Sequence, residues 1–229
     1  MAIKAIISYD DTLNDHDALW LGRLLARAGA ELTLAYVRHT TQLERAREEL
    51  EEHEAHALLA RGARWLDDLD VERRVVVSAS TGEGLAWLAQ HEGADIVVFG
   101  SDYRTAAGHV SPQRSAQKLL EGGPVAVALA PASFRTAREY EVGSVGVLAG
   151  LGDDSALATA LELANRLDAR LTSADAGADL LVVGSRSEAA PGRVVLTAQA
   201  QNAIEGSRAP VLVVPRGVAL HFGETVTAA

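Results

Sequence analysis

The sequence predicts an α/β protein, a doubly wound parallel sheet followed by a truncated repeat of the same fold. Three observations carry that reading. Short apolar runs alternate with stretches of helical periodicity through the first 131 residues. Strands separated by helices of this length imply parallel crossovers. GADIVVFGS at 93–101 then returns as GADLLVVGS at 177–185, identical at six of nine positions, and a proline-initiated strand closes each half, PVAVALAP from Pro124 and PVLVVPRG from Pro210.

The elements follow in order. Ile3 to Tyr9 is a strand that ends in Asp10-Asp11. Leu21, Leu24, Leu25 and Ala28 recur at helical spacing, and Gly29 closes that helix. Glu31 to Val37 is the second strand, and Gln42 to about Leu66 is a long helix with Leu43, Ala46, Leu50 and Ala57 on one face. Arg73 to Ser78 is a third strand whose charged start suits a sheet edge. Ser80 and Glu83 form an S-x-x-E capping box ahead of Leu85, Leu88 and Ala89. Ala94 to Phe99, apolar along most of its length, reads as a strand buried on both faces. Ser111-Pro112 reads as an N-cap followed by a first-turn proline. That helix stops at Gly122-Gly123, and Pro124 to Leu129 is the fifth strand.

The second half is shorter. ALWLGRLLARAGAELT, ending at Thr33, matches LATALELANRLDARLT, ending at Thr172, at an offset of 139 residues, whereas the GAD strands are 84 apart. The difference of 55 residues is about one strand-helix-strand-helix block, which leaves three strands. A segment this short buries little over about 60% of its surface alone. Right-handed crossovers place both its helices on one face. It is expected to pack on the first half or on another chain. The division is therefore 1–133 for the first domain, 134–142 for a linker, 143–217 for the repeat and 218–229 for a tail.

Composition narrows the function. The 229 residues are 48% hydrophobic and 23% charged, as in globular proteins. Apolar runs of about ten residues are too short to span a bilayer, and no secretory leader pattern opens the chain. Zero cysteines exclude disulfides, thiolate metal sites and cysteine nucleophiles, and suit a cytoplasmic protein. A formal charge of -10 argues against a nucleic-acid partner. Aromatics at 4% leave little for base stacking.

Open parallel sheets bind ligands at the carboxyl ends of their strands, where chain order reverses. Asp10 and Asp11 end the first strand, and Gly100 and Ser101 end the fourth. Gly100 lets backbone approach a ligand. The loop beyond it carries Gly108 and reaches a helix start at Ser111, and such starts suit phosphate. Arg104, His109 and Arg114 can add charge-assisted bonds. The alternative is an ordinary strand-to-helix loop with solvated polar residues.

The strand-one aspartate, the GADIVVFGS strand, the glycine loop and the closing PVAVALAP strand together resemble the universal stress protein family, over almost the whole chain and as two copies. The resemblance implies sheet order 3-2-1-4-5 and a role in stress response or energy-state signalling. In some members it also implies an adenine nucleotide, ATP or AMP, with any Mg²⁺ arriving on the nucleotide. Asp10 matches the acidic position that contacts the nucleotide or its metal. Val37 matches the strand end that lines the adenine, and Gly100 opens a loop of the form G-x2-G-x9-G-[S/T]. Tyr103 stands where the second glycine belongs, and Ser111-Pro112 falls eleven residues on rather than thirteen. Gly108 is expected to replace one lost glycine, the Ser111 hydroxyl and Ser115 to serve phosphate, and Ser101 to join the binding residues beside Gly100. In the second copy Ser187 replaces the second glycine, Thr197-Ala198 replaces the Gly-Ser pair, and Ala149 falls at the place of Asp10, so the pocket there is expected to be lost.

Other constellations are poorer fits. Asp10-Asp11 also resembles a phospho-acceptor receiver, but the third strand ends without an aspartate and the fifth without a lysine. His53 and His56 lie among glutamates as a solvated acidic face or, less simply, a metal pair. No G-x-S-x-G elbow and no P-loop occurs, so no enzyme is predicted beyond slow ATP hydrolysis. Trp20, Trp65 and Trp87 fall at helix packing positions. Two classes remain: a nucleotide-binding module, or a nucleotide-free scaffold for dimerisation or partner binding. A half-covered sheet with an exposed edge makes a homodimer the expected assembly.

Overall fold

The computed structural model describes residues 2–39, 45–66, 69–137 and 140–223, without the side chains of 45–50. The first half alternates β1 (Ile3–Ser8), α1 (Leu13–Arg27), β2 (Ala30–His39), α2 (Arg45–Ala63), β3 (Val71–Ser78), α3 (Thr81–Glu92), β4 (Ile96–Gly100), α4 (Arg114–Leu120) and β5 (Ala126–Ala130). Its strands are parallel, in the order β3-β2-β1-β4-β5. The second half adds β6 (Ser144–Leu148), α5 (Ser155–Arg166), β7 (Arg170–Ser173), β8 (Leu180–Gly184), α6 (Ala198–Gly206) and β9 (Val211–Val214). β9 pairs antiparallel with β5, Val127 opposite Val213 and Leu129 opposite Val211. One nine-stranded sheet results, β3-β2-β1-β4-β5-β9-β8-β6-β7.

Local chemistry sets the helix ends. Thr12 and Asp15 cap α1 reciprocally, each side chain accepting the other's backbone N–H. Ser80 Oγ accepts the Glu83 N–H at the start of α3, and Gly93, at φ +62°, ends that helix in the left-handed region. Two apolar layers sandwich the sheet. Leu21, Leu25, Leu59, Ala160 and Leu163 of α1, α2 and α5 pack on Ile7, Val98, Val145 and Val182. Leu85, Leu119 and Ile204 of α3, α4 and α6 pack on Val97, Phe99, Val183 and Val213.

Five expectations are corrected. The second half has four strands, because a four-residue stump of its second strand survives as edge strand β7; the deleted block is helix-strand-helix. Its helices lie on opposite faces. The crossover from β6 to β7 runs outward along the sheet and that from β8 to β9 runs inward, so right-handedness sends them to opposite sides. The link that replaces the missing block crosses over β6, where a Cβ on Gly146 would lie 2.8 Å from the Ala178 Cβ. On α2 the buried residues are Ala55, Leu59 and Gly62 while Ala57 is exposed; Leu43 and the side chains of Ala46 and Leu50 lie outside the described residues. The described residues of the linker and of the tail, 134–137, 140–142 and 218–223, pack on the body. Phe134 is buried and packs edge-on against Tyr140 at 4.7 Å. Leu220 and Phe222 are 2% and 1% exposed, and the Leu220 N–H bonds Thr159 Oγ1.

The two halves share a backbone pattern at the 84-residue offset. Ser101 Oγ donates to the Ala130 carbonyl at 2.7 Å, and Ser185 Oγ to that of Val214 at 2.8 Å. Asp102 N–H meets Ser111 O and Arg186 N–H meets Val195 O, both at 2.9 Å. Gly108 and Gly192, at φ +76° and +73°, donate to the Ala132 and Arg216 carbonyls.

Candidate functional site

β1 and β4 are direct neighbours, Ile6 beside Val97, so their carboxyl ends meet at the switch point. The two aspartates after β1 part there. Asp11, at φ +58°, accepts the Tyr9 hydroxyl at 2.7 Å and the Arg61 guanidinium at 2.9 and 3.0 Å, with His16 Nε2 at 3.4 Å. Tyr9 first, with Arg61 and His16, holds its carboxyl below the ordinary range, and the cluster ties α2 to the end of β1. The Asp10 N–H is bonded to Asp15, but its own carboxylate is exposed. No hydrogen bond or ion pair reaches that carboxylate among the described residues. Partial desolvation raises its pKa and His39 opposes the rise. Of the acidic pair, Asp10 is the one available to a ligand.

The glycine loop is organised otherwise than the sequence implied. A Cβ on Gly100 would stand 1.9 Å from the Asn14 carbonyl oxygen, so the first turn of α1 fills the space expected for a ligand. Ser101 is fully buried, its Oγ donating to Ala130 O and accepting the Ser111 N–H, and serves as an internal clamp. The N–H groups of Asp102, Thr105, Gly108 and His109 go to carbonyls of the loop and of Ala132, and that of Arg104 goes to the Asp102 carboxylate. Those five donors are therefore not free for a phosphate. Pro112 bridges to Ser101, which draws Ser111-Pro112 out of helical geometry; the N-cap of α4 is Gln113, without a side-chain cap bond. Val37 is 5% exposed beneath α3, where a Cβ on Gly84 would lie 2.8 Å from its Cγ1. It belongs to the core rather than to an open adenine wall. Tyr103 is 78% exposed with the Arg104 guanidinium over its ring, and leaves the switch point clear.

A cavity of about 630 Å³ opens beside this loop, between the end of β2, the start of α3 and the side of α4. His39, Thr81, Arg114, Ser115 and Lys118 line it, with Glu83 and Glu121. Of the predicted binding residues Asp10, Val37, Gly100, Ser101, Gly108, Ser111 and Ser115, Ser115 alone lines the cavity. Asp10 does not line it, although His39, which does, opposes the rise in the Asp10 pKa. Arg114 has no ion-pair partner among the described residues, while Lys118 reaches Glu83 at 3.6 Å in an exposed pair. Sequence reasoning missed His39, Thr81 and Lys118. They meet because α3 and α4 approach closely, so closely that a Cβ on Gly82 would lie 3.0 Å from the Lys118 Cβ, and no sequence spacing reports that approach.

In the second half, Gly146 pairs with Thr172 and Leu181 as Ile6 pairs with Thr33 and Val97. The register therefore puts Gly150, not Ala149, in the place of Asp10, again without a carboxylate. Among the described residues no group of three or more His, Asp or Glu is arranged to hold a metal, and His53 and His56 are both exposed on α2. No described helix is long and apolar enough to cross a membrane.

The sequence model of the universal stress protein family matches residues 4–131. Among solved structures, a universal stress protein from Archaeoglobus fulgidus DSM 4304 aligns with TM-score 0.67 at 14% identity, covering 93% of this chain and 98% of that one. A putative universal stress protein from Pseudomonas aeruginosa UCBPP-PA14 aligns with TM-score 0.62 at 14% identity, covering 93% of each chain. At these identities the likeness is one of fold. No curated protein matches the sequence.

Proposed function

Since the chain belongs to the universal stress protein family, we propose that its first half takes an adenine nucleotide, ATP or AMP, in the cavity between α3 and α4, and that occupancy reports stress or energy state to a cytoplasmic partner. The observation that carries this is a nucleotide-sized hollow in which the Arg114 guanidinium, without an ion-pair partner among the described residues, stands beside Ser115 and Lys118. Arg114 and Lys118 face the phosphates and the Ser115 hydroxyl bonds them. His39 and Thr81 line the opposite side, and Asp10 waits at the switch point for sugar hydroxyls or a Mg²⁺ carried by the phosphates. This seat differs from the glycine loop that the family pattern implies. The role is read as binding rather than turnover. Native mass spectrometry and thermal shift with ATP and AMP test it: added nucleotide mass and a raised midpoint are expected, and both are lost in Arg114→Ala.

A second reading, a nucleotide-free scaffold, is favoured by the closed loop and by Asn14 filling the space at Gly100. It predicts no added mass and no shift. Under either reading, residues 143–217 are a shortened second copy, supported by the repeated Ser101 and Ser185 clamps. The β5–β9 pairing supplies the sheet partner that this copy lacks alone. A homodimer would then form through the remaining sheet edges, β3 or β7.

A further inference from the structure

A second hollow lies on the seam between the halves. It has about 420 Å³ and sits between α4 and α6, on the sheet face that both helices cover. Its lining is two-fold. Gln117 and Gln201, Leu120 and Ile204, and Glu121 and Glu205 are three pairs, each separated by 84 residues. The remaining wall keeps the same offset, Ser111 and Pro112 corresponding to Val195 and Leu196. Every lining residue thus has its counterpart across the β5–β9 seam. The repeat that removed the acid from the second switch point has here doubled one.

The chemistry of the wall selects a ligand class. Leu120 and Ile204 are buried and give an apolar middle, helped by Pro112, Val195 and Leu196. Glu121 and Glu205 are exposed, and no ion pair reaches either carboxylate among the described residues. Gln117 and Gln201 add a carbonyl acceptor on each side. The lining thus combines an apolar buried floor with two carboxylates and two amides.

We infer that this seam cavity binds a linear diammonium ligand, two protonated amines joined by an apolar spacer. Each ammonium meets a glutamate and a glutamine, and the methylenes lie on Leu120 and Ile204. Two charge-assisted ends on one spacer add their binding through linkage, so a molecule with one amine forfeits half of the recognition. The cavity is not fully symmetric. The Glu121–Val195 backbone bridge and the bond from Gly122 N–H to Val194 O dock the second half's loop on the end of α4. The equivalent contacts between 205–206 and 110–111 are not formed among the described residues, which keeps the α6 side open as the entrance. The inference does not depend on nucleotide binding.

The test is calorimetric titration of the full chain with α,ω-diaminoalkanes of increasing length and with n-alkylamines of matched length. Saturable binding with an optimum in chain length is expected, and the matched monoamine should bind about tenfold or more weakly. Glu121→Gln and Glu205→Gln should each lose about tenfold in affinity, while Glu72→Gln on the far sheet edge should lose none. Leu196→Trp, which fills the hollow, should abolish binding with the unfolding midpoint kept. Absence of saturable diamine binding, equal affinity for monoamines, or binding untouched by both glutamate changes would each overturn the proposal. Glu121 lines both cavities and Glu205 only this one, so ATP titration of Glu205→Gln, run alongside, reports separately on the nucleotide cavity.

Discussion

Gly100→Ala separates a structural glycine from a ligand-facing one. The added Cβ would lie 1.9 Å from the Asn14 carbonyl oxygen and 2.5 Å from its carbon, where ordinary contact begins near 3.4 Å. The first turn of α1 must retreat by about 1.5 Å to admit it. Little there can give. Asn14 Nδ2 is bonded to Ser101 O at 2.7 Å, and the adjacent Thr12–Asp15 capping box fixes the same turn. Overpacking against backbone of this kind costs about 3 kcal/mol or more, roughly 6–12 °C of Tm in a chain this size. Gly184→Ala, whose Cβ would lie 2.6 Å from Gly150 N, should cost less, about 1–2 kcal/mol. Gly108→Ala enters open space and loses only the left-handed preference at φ +76°, about 1 kcal/mol. Urea unfolding of the three variants should give that ranking. An unfolding midpoint for Gly100→Ala equal to wild type, with nucleotide affinity altered, would return the glycine to the ligand site.

Other outcomes follow from the same geometry. Asp17 is fully buried and accepts the Ser133 and Arg135 N–H groups and the Arg135 guanidinium, so Asp17→Ala should destabilise by about 3–5 kcal/mol in urea. Phe222→Ala should cost about 3–5 kcal/mol, and a change under 1 kcal/mol would return residues 218–223 to a free tail. The two switch-point acids should respond oppositely to pH. Asp10 has a folded pKa above 3.8, so the wild type gains stability as pH falls through that raised value; Asp10→Asn should stabilise at neutral pH and remove the gain. Asp11 has a folded pKa below 3.8, so its contribution is complete above 3.8 and fades as pH falls through the depressed value; Asp11→Asn should destabilise at neutral pH. Circular dichroism melts across an acid series show both signs.

Much of the architecture was legible because it is written in local periodicity. Apolar runs, capping residues and the proline-led strands placed β1 to β5 and their helices within a few residues, and the GADIVVFGS repeat located β8. What failed was what depends on partners distant in the chain. Ser111-Pro112 has the composition of a helix start, but a bridge to Ser101 and the bond from Asp102 to Ser111 O take it into the loop. Gly100 showed that something approaches closely, and only the packing of α1 shows that it is Asn14. Arg135 finds Asp17 across 118 residues and Arg61 finds Asp11 across 50, so neither pair left a signal in the sequence. The faces of α5 and α6 turned on crossover direction, which became fixed only once β7 was seen to survive at the edge.

Titration of ATP and of adenosine into wild type and Arg114→Ala tests the phosphate seat most directly. If Arg114 forms that seat, ATP binds wild type, Arg114→Ala weakens ATP about tenfold or more, and adenosine affinity is the same in both proteins. Wild-type protein that takes up neither ATP nor AMP, or an arginine variant that binds ATP as tightly as wild type, would contradict it.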